Sequence, residues 1–151
     1  MPSLFQSILK TLRPVRRSDS VFGSMLYRGG KPGYWEGTAI FRPTETKIEV
    51  FVDGPEDSDL TLQHEFFASV CDRWSELRNE IGIKLHESWI ESYPEDVSNN
   101  VWNHFRISYV TVREESLESA EWDLGFETDL DDQLFAVEMK GCHALLVTVD
   151  G

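Results

Sequence analysis

From Thr61 to Tyr93 large apolar side chains recur every three or four residues: Leu62, Phe66, Val70, Trp74, Leu77, Ile81, Leu85 and Trp89, with Phe67 and Cys71 beside them. That spacing describes one face of an amphipathic helix. Burying a large side chain contributes roughly 1.5–3 kcal/mol, so the stripe needs a broad apolar surface to pack on. A chain of 151 residues is long enough to supply one within a single domain. An unbroken helix over this stretch would run on the order of 50 Å, whereas a compact domain of this size is roughly 40 Å wide. A bend or break is therefore expected near Gly82, with a second segment reaching about Tyr93, where Pro94 ends it.

Around this stretch the pattern changes to period two. Val21-Phe22-Gly23 leads into Met25-Leu26-Tyr27, and the glycine-rich run 29–33 reads as a turn. In 34–41, Trp35, Gly37, Ala39 and Phe41 share one face and Tyr34, Glu36, Thr38 and Ile40 the other; Pro43-Thr44-Glu45 turns the chain into a return strand on which Ile48, Val50 and Val52 alternate with polar residues and Phe51. Asp59 or Thr61 is available to cap the following helix. Beyond it, Trp102 to Val112 favours extended backbone. Trp122, Leu124 and Phe126 alternate with carboxylates, and 135–139 and 145–149 form a last pair of strands across Lys140-Gly141. The expected architecture is α+β, with a mainly antiparallel sheet of about six to seven strands covered on one face by the central helices. Residues 3–12 (Leu4, Phe5, Ile8, Leu9, Leu12) suggest a short amphipathic N-terminal helix, and 13–20 a linker. Residues 21–151 then make one domain, preceded by the basic segment 1–20.

The net charge of −13 is unevenly spread. Residues 1–31 carry Lys10, Arg13, Arg16, Arg17, Arg28 and Lys31 against Asp19 alone, so the remainder is more acidic than the total implies. On the helix, Glu65, Asp72, Glu76, Glu80, Glu87 and Glu91 fall within an arc of roughly 100° opposite the apolar stripe. Asp72/Glu76, Glu76/Glu80 and Glu87/Glu91 are like-charge pairs at i,i+4, each slightly destabilising. Between Arg113 and Asp132 stand Glu114, Glu115, Glu118, Glu121, Asp123, Glu127, Asp129, Asp131 and Asp132. A solvated face is the ordinary reading of such charge. The functional reading is a pair of acidic surfaces kept for a basic protein partner. A body of this sign repels nucleic-acid backbone and anionic lipid. No run approaches the ~20 apolar residues of a membrane span, no signal-peptide pattern opens the sequence, and Cys71 and Cys142 have no CxxC spacing. The expectation is a cytoplasmic protein with reduced thiols, no nucleic-acid partner and no stable membrane insertion.

Catalytic signatures are incomplete. His64-Glu65 and His86-Glu87 begin like HExxH, but Ala68 and Ile90 stand where the second histidine belongs. The run Asp129-Leu130-Asp131-Asp132 fails as a calcium loop, since its sixth and twelfth places hold Leu134 and Lys140. There is no GxSxG and no phosphate-cradling loop. The expectation is therefore no cofactor, no metal and no catalytic residue. The competing reading is a small metal-dependent or hydrolytic enzyme using His104 and His143 with nearby carboxylates, should their strands be neighbours.

Val21-Phe22-Gly23, then Gly33-Tyr34-Trp35-Glu36-Gly37, then the strand from Ile48 closing in Asp53-Gly54 before a long helix, resembles a group of small bacterial domains of unknown function. Some of these are similar to immunity proteins of polymorphic-toxin systems. The resemblance implies an α+β domain without cofactor and assigns no catalytic residues. Together these readings predict a non-catalytic acidic domain that neutralises a basic toxin by protein–protein contact. The candidate contacts are Glu65, Asp72, Glu76, Glu80 and Glu87 on the helix, Asp129, Asp131 and Asp132 in the later acidic run, and Tyr34 as an aromatic anchor. A domain whose partner is a second copy of itself is the third reading.

Overall fold

A computed structural model of the chain describes residues 14–30, 32–96, 100–129 and 132–150. Among them eight strands form one sheet in chain order: β1 (Arg16–Asp19), β2 (Gly23–Arg28), β3 (Tyr34–Phe41), β4 (Thr46–Asp53), β5 (Phe105–Val112), β6 (Glu121–Thr128), β7 (Leu134–Lys140) and β8 (His143–Asp150). Every neighbouring pair is antiparallel except β4 and β5, which are parallel. A tight turn cannot join parallel neighbours, so one long crossover is required there. The helical stretch is that crossover, as α1 (Thr61–Asp72) and α2 (Trp74–Ser92). The apolar stripe is central in sequence because it must travel back over the sheet between β4 and β5.

Period-two alternation then decides what the helices meet. Trp35, Ala39 and Phe41 of β3, Val50 and Val52 of β4, Val110 and Val112 of β5, Leu124 and Phe126 of β6 and Phe135 and Val137 of β7 are buried together with Phe66, Val70, Trp74, Leu77, Ile81, Leu85 and Trp89 of the helices. The α+β class and the helices on one face are as expected, and the sheet is wider than the six to seven strands predicted.

Three expectations change. The helix breaks at Arg73 and not at Gly82: α2 runs unbroken to Ser92, and a Cβ at Gly82 would stand 3.0 Å from Trp102 Nε1. The glycine serves a close approach of the indole to the helix, a contact made by a residue twenty positions away. The helix start uses neither predicted cap. Leu60 occupies the cap position in left-handed conformation (φ 62°) while its side chain is fully buried, and Asp59 instead accepts a hydrogen bond from the Thr61 N–H at 3.0 Å. Core packing has placed an apolar residue where local chemistry favours a polar one. Finally, within the expected linker 13–20, Arg16–Asp19 is the edge strand β1, paired with β2. The predicted N-terminal helix lies outside the described residues.

Side chains fasten β1 to α1. The Arg17 guanidinium donates to the Ser58 carbonyl, and the Asp19 carboxylate accepts from the N–H groups of Val21 and Phe22, each at 2.9 Å, with His64 Nε2 also 2.9 Å away. Burial alone would raise the Asp19 carboxyl; the backbone donor of Phe22, then His64 and Val21, outweigh it and hold it below its ordinary value. The unfolded chain thus takes up this proton at higher pH than the folded one. The resulting stability is present above the ordinary carboxylate value of about 3.9 and is lost as pH falls through the lower folded value. Asp19→Ala is expected to cost about 1.5–3 kcal/mol at neutral pH, read as a lower urea midpoint. The gap to wild type should narrow below about pH 4; a gap independent of pH would contradict this assignment.

Candidate functional site

The helices cover one face of the sheet, and no described element covers the other. Its centre is a grid contributed by β3 to β6. Pairing sets Tyr34 beside Asp53, Glu36 beside Phe51 and Thr38 beside Glu49; Glu49 beside Tyr109 and Phe51 beside Thr111; and Tyr109 beside Gly125. Three half-buried aromatics run diagonally across this grid. Tyr34 meets Phe51 edge-on at 6.3 Å between ring centroids, and Phe51 meets Tyr109 at 5.6 Å. Tyr109 lies over Gly125, where a Cβ would come within 2.1 Å of its ring. The missing side chain lets the phenol lie flat against the sheet.

Carboxylates flank the aromatic line on both sides: Glu36, Glu49 and Asp53 toward β3 and β4, Glu121 and Asp123 on β6. The Tyr109 hydroxyl donates to Asp123 Oδ2 at 2.6 Å, and Thr111 Oγ1 donates to Asp123 Oδ1 at 3.1 Å. Burial, and then this carboxylate, push the Tyr109 phenol well above its ordinary range, so it stays a neutral donor. The nearby cations are occupied: Arg113 pairs with Asp53 at 3.0 Å and donates to the Glu121 carbonyl at 2.8 Å, and Arg28 reaches Glu36 at 3.2 Å. Two shallow hollows flank the line. One, about 460 Å³, is lined by Leu26, Glu36, Thr38, Glu49 and Phe51 among others. The second, about 540 Å³, includes Glu121, Asp123, Glu138 and Leu145.

The architecture fixes where the candidate contact residues of the two acidic surfaces lie. Tyr34 belongs to the open sheet face, whereas Glu65, Asp72, Glu76, Glu80 and Glu87 lie on the helices that cover the opposite face. Much of the helical ridge is also paired internally. Asp72 meets Arg42 at 2.9 Å, Glu76 meets Arg73 at 3.1 Å, Glu80 lies 3.6 Å from His143 Nδ1, and Lys84 is 3.9 Å from Glu87. Glu65 remains exposed. The later acidic run is likewise dispersed. Glu121, Asp123 and Glu127 are strand residues of the open face, Glu114, Glu115 and Glu118 sit before β6, and Asp129 pairs with Arg106 at the far end of that strand. Asp132 lies between β6 and β7, as does Asp129, and Asp131 falls outside the described residues.

The two histidines of the competing enzyme reading do not meet. His104 precedes β5, at the end of the sheet where Phe105 opposes Thr128 of β6; His143 opens β8 at the other end, opposite Lys140. His104 stacks on Trp89 at 4.3 Å, with Nε2 3.0 Å from Asp96 Oδ2. His143 is exposed. Among the described residues no three His, Cys, Asp or Glu side chains converge as metal ligands. Cys71 is buried and Cys142 half-buried, both free, and burial pushes each thiol up, away from the reactive thiolate.

Phe51 and Tyr109 did not stand out in the sequence, because each reads as an ordinary strand aromatic. Their signal was available in the alternation, which places both opposite the buried valines of their own strands. The grid and the helices define an α+β domain built on one broad sheet, with an aromatic and acidic face that no other described element covers. Comparison with protein-family models, curated proteins and solved structures finds no match. No helix among the described residues is long and apolar enough to cross a membrane.

Proposed function

We propose that this chain is a non-catalytic, cytoplasmic protein-binding domain that engages a basic protein through its open sheet face. The observation that carries the reading is the Tyr34–Phe51–Tyr109 line set among Glu36, Glu49, Asp53, Glu121 and Asp123. Aromatic faces and carboxylates are the two groups that receive arginine and lysine side chains, by cation–π contact and by charge-assisted hydrogen bonding. A central aromatic cluster with a polar rim is also the usual layout of a binding hot spot. The immunity-type role, covering the basic surface of a toxin, is the form of this activity that the resemblance suggests. In the helical ridge, arginines and lysines interleave with the acids, so it is the weaker candidate for the same partner.

A charge-matched comparison tests the proposal. An arginine-rich peptide such as octa-arginine is titrated against wild type, Glu49→Lys/Glu138→Lys on the open face, and Glu87→Lys/Glu91→Lys on the helix. Both variants change net charge equally. The open-face pair is expected to lose about tenfold or more in affinity, about 1.4 kcal/mol, and the helix pair much less. In wild type, amide shifts should centre on Phe51 and Tyr109. Equal losses in the two variants would reduce the interaction to non-specific attraction by net charge and defeat the reading.

A further inference from the structure

We infer that the fork where β4 and β5 separate is a binding cleft for a small organic anion with a flat apolar body. These parallel strands pair only from Glu49–Tyr109 to Val52–Val112. Upstream, Thr46–Ile48 and Phe105–Ser108 have no partners in each other, and β5 is irregular against β6 between Ile107 and Tyr109. The parting leaves a cleft of about 410 Å³ with Trp74, Trp102, Phe105 and Phe126 in its lining. That volume lies in the range of small-ligand sites, roughly 300–1,000 Å³, which are mostly apolar with a few placed polar groups.

The cationic groups at this cleft are Lys47, Arg78 and Arg106. In a chain with 27 acidic and 14 basic residues, a cation readily finds a carboxylate. Arg28, Arg42, Arg73, Lys84 and Arg113 do so elsewhere, and Arg106 does so at the rim with Asp129. Lys47 and Arg78 reach none among the described residues. The Arg78 guanidinium lies over the Trp102 ring at 4.9 Å, and the Trp74 and Trp102 rings meet edge-on at 6.1 Å. The one lining carboxylate, Glu127, accepts a hydrogen bond from Ser108 Oγ at 3.2 Å. Two cations that reach no carboxylate among the described residues, beside a lining rich in aromatic side chains, specify an anion of aromatic character. This site is independent of the open-face reading: it lies at the β3–β4 hairpin end of the sheet and uses none of the same aromatics.

The test titrates 1-naphthoate, 1-naphthyl phosphate and the neutral 1-naphthalenemethanol against the full chain by calorimetry and by tryptophan emission. Saturable one-to-one binding of one or both anions is expected, about tenfold tighter than the alcohol. The ratio of naphthoate to naphthyl phosphate identifies the anionic group preferred. Lys47→Met/Arg78→Gln should weaken the anions about tenfold while leaving the alcohol unchanged. The control Arg16→Gln/Lys140→Met, which removes equal charge elsewhere, should leave all three unchanged. Thr46→Phe, from an exposed lining position, should block binding without lowering the melting temperature. If the double variant does not fold, Lys47→Met alone, on an exposed side chain, is read in its place. No saturation, no preference for the anions, or equal loss in the control would each overturn the inference.

Discussion

Trp89→Ala is expected to lower stability by about 3–5 kcal/mol, a large part of the roughly 5–15 kcal/mol that holds a domain folded. Trp89 is 1% exposed and sits where α2 meets the starts of β5 and β7, through Phe105 and Phe135. Its indole stacks on His104 at 4.3 Å and packs on Tyr93 at 4.2 Å, with Phe105 edge-on at 5.5 Å. Its Nε1–H donates to Asp96 Oδ2 at 2.8 Å. Truncation leaves a cavity between rigid rings that cannot collapse, and it also deprives the Asp96 carboxylate of a donor. Trp89→Phe separates the two losses: it keeps most of the packing and should cost about 1–2 kcal/mol for the missing hydrogen bond. Urea unfolding reads both. A midpoint for Trp89→Ala close to that of Trp89→Phe would show that the cavity closes and that this cluster is not a keystone of the core.

Gly37→Ala is expected to cost about 3 kcal/mol, the upper part of the range for overpacking, although it adds one methyl group. A Cβ there would stand 2.5 Å from the Phe22 carbonyl oxygen and 2.9 Å from Met25 Cγ. Neither neighbour can yield easily. The Phe22 carbonyl accepts the Thr38 N–H at 3.1 Å, and the side chains of Phe22 and Met25 are fully buried. The room left by the missing side chain is taken by the chain entering β2. Gly29, with nothing within 4 Å of a built Cβ, is the control, and Gly29→Ala should change stability by less than about 0.5 kcal/mol. Melting curves that place the two substitutions together would contradict the close approach at Gly37.

Both predictions turn on contacts between residues distant in sequence, which is also where expectation and structure part. Strands β3, β4 and β6 were legible because side-chain alternation is a local property and their buried faces carry large apolar residues. β1 was not, because Arg16-Arg17-Ser18-Asp19 has no apolar alternation. It holds its edge position through backbone pairing and through the links of Arg17 to Ser58 and Asp19 to His64. The break in the helices was required by length, yet its place at Arg73 was not. Gly82 marks the seat of Trp102, and a glycine needed for close approach reads in sequence like a glycine that ends a helix.

The candidate site shows the same division. Tyr34 was legible as a candidate anchor, but the aromatics aligned with it, Phe51 and Tyr109, lie on strands separated by the whole helical crossover. The carboxylates were visible as charge along the chain, while their cations came from elsewhere: Arg42 to Asp72, Arg73 to Glu118, Arg106 to Asp129. A linear reading counts charges without knowing which of them meet.

The sequence alone therefore determined the class of the fold, the face of each strongly patterned strand that turns inward and the acidic character of the body, because periodicity and net charge are properties of the chain itself. Only the tertiary structure decided that β4 and β5 lie side by side in parallel and then part, that three aromatics align on the open face, and which carboxylates remain unpaired. Those outcomes depend on register between segments brought together across long loops, where the closing contacts are chosen by packing of the whole core and leave no trace in any short stretch of residues.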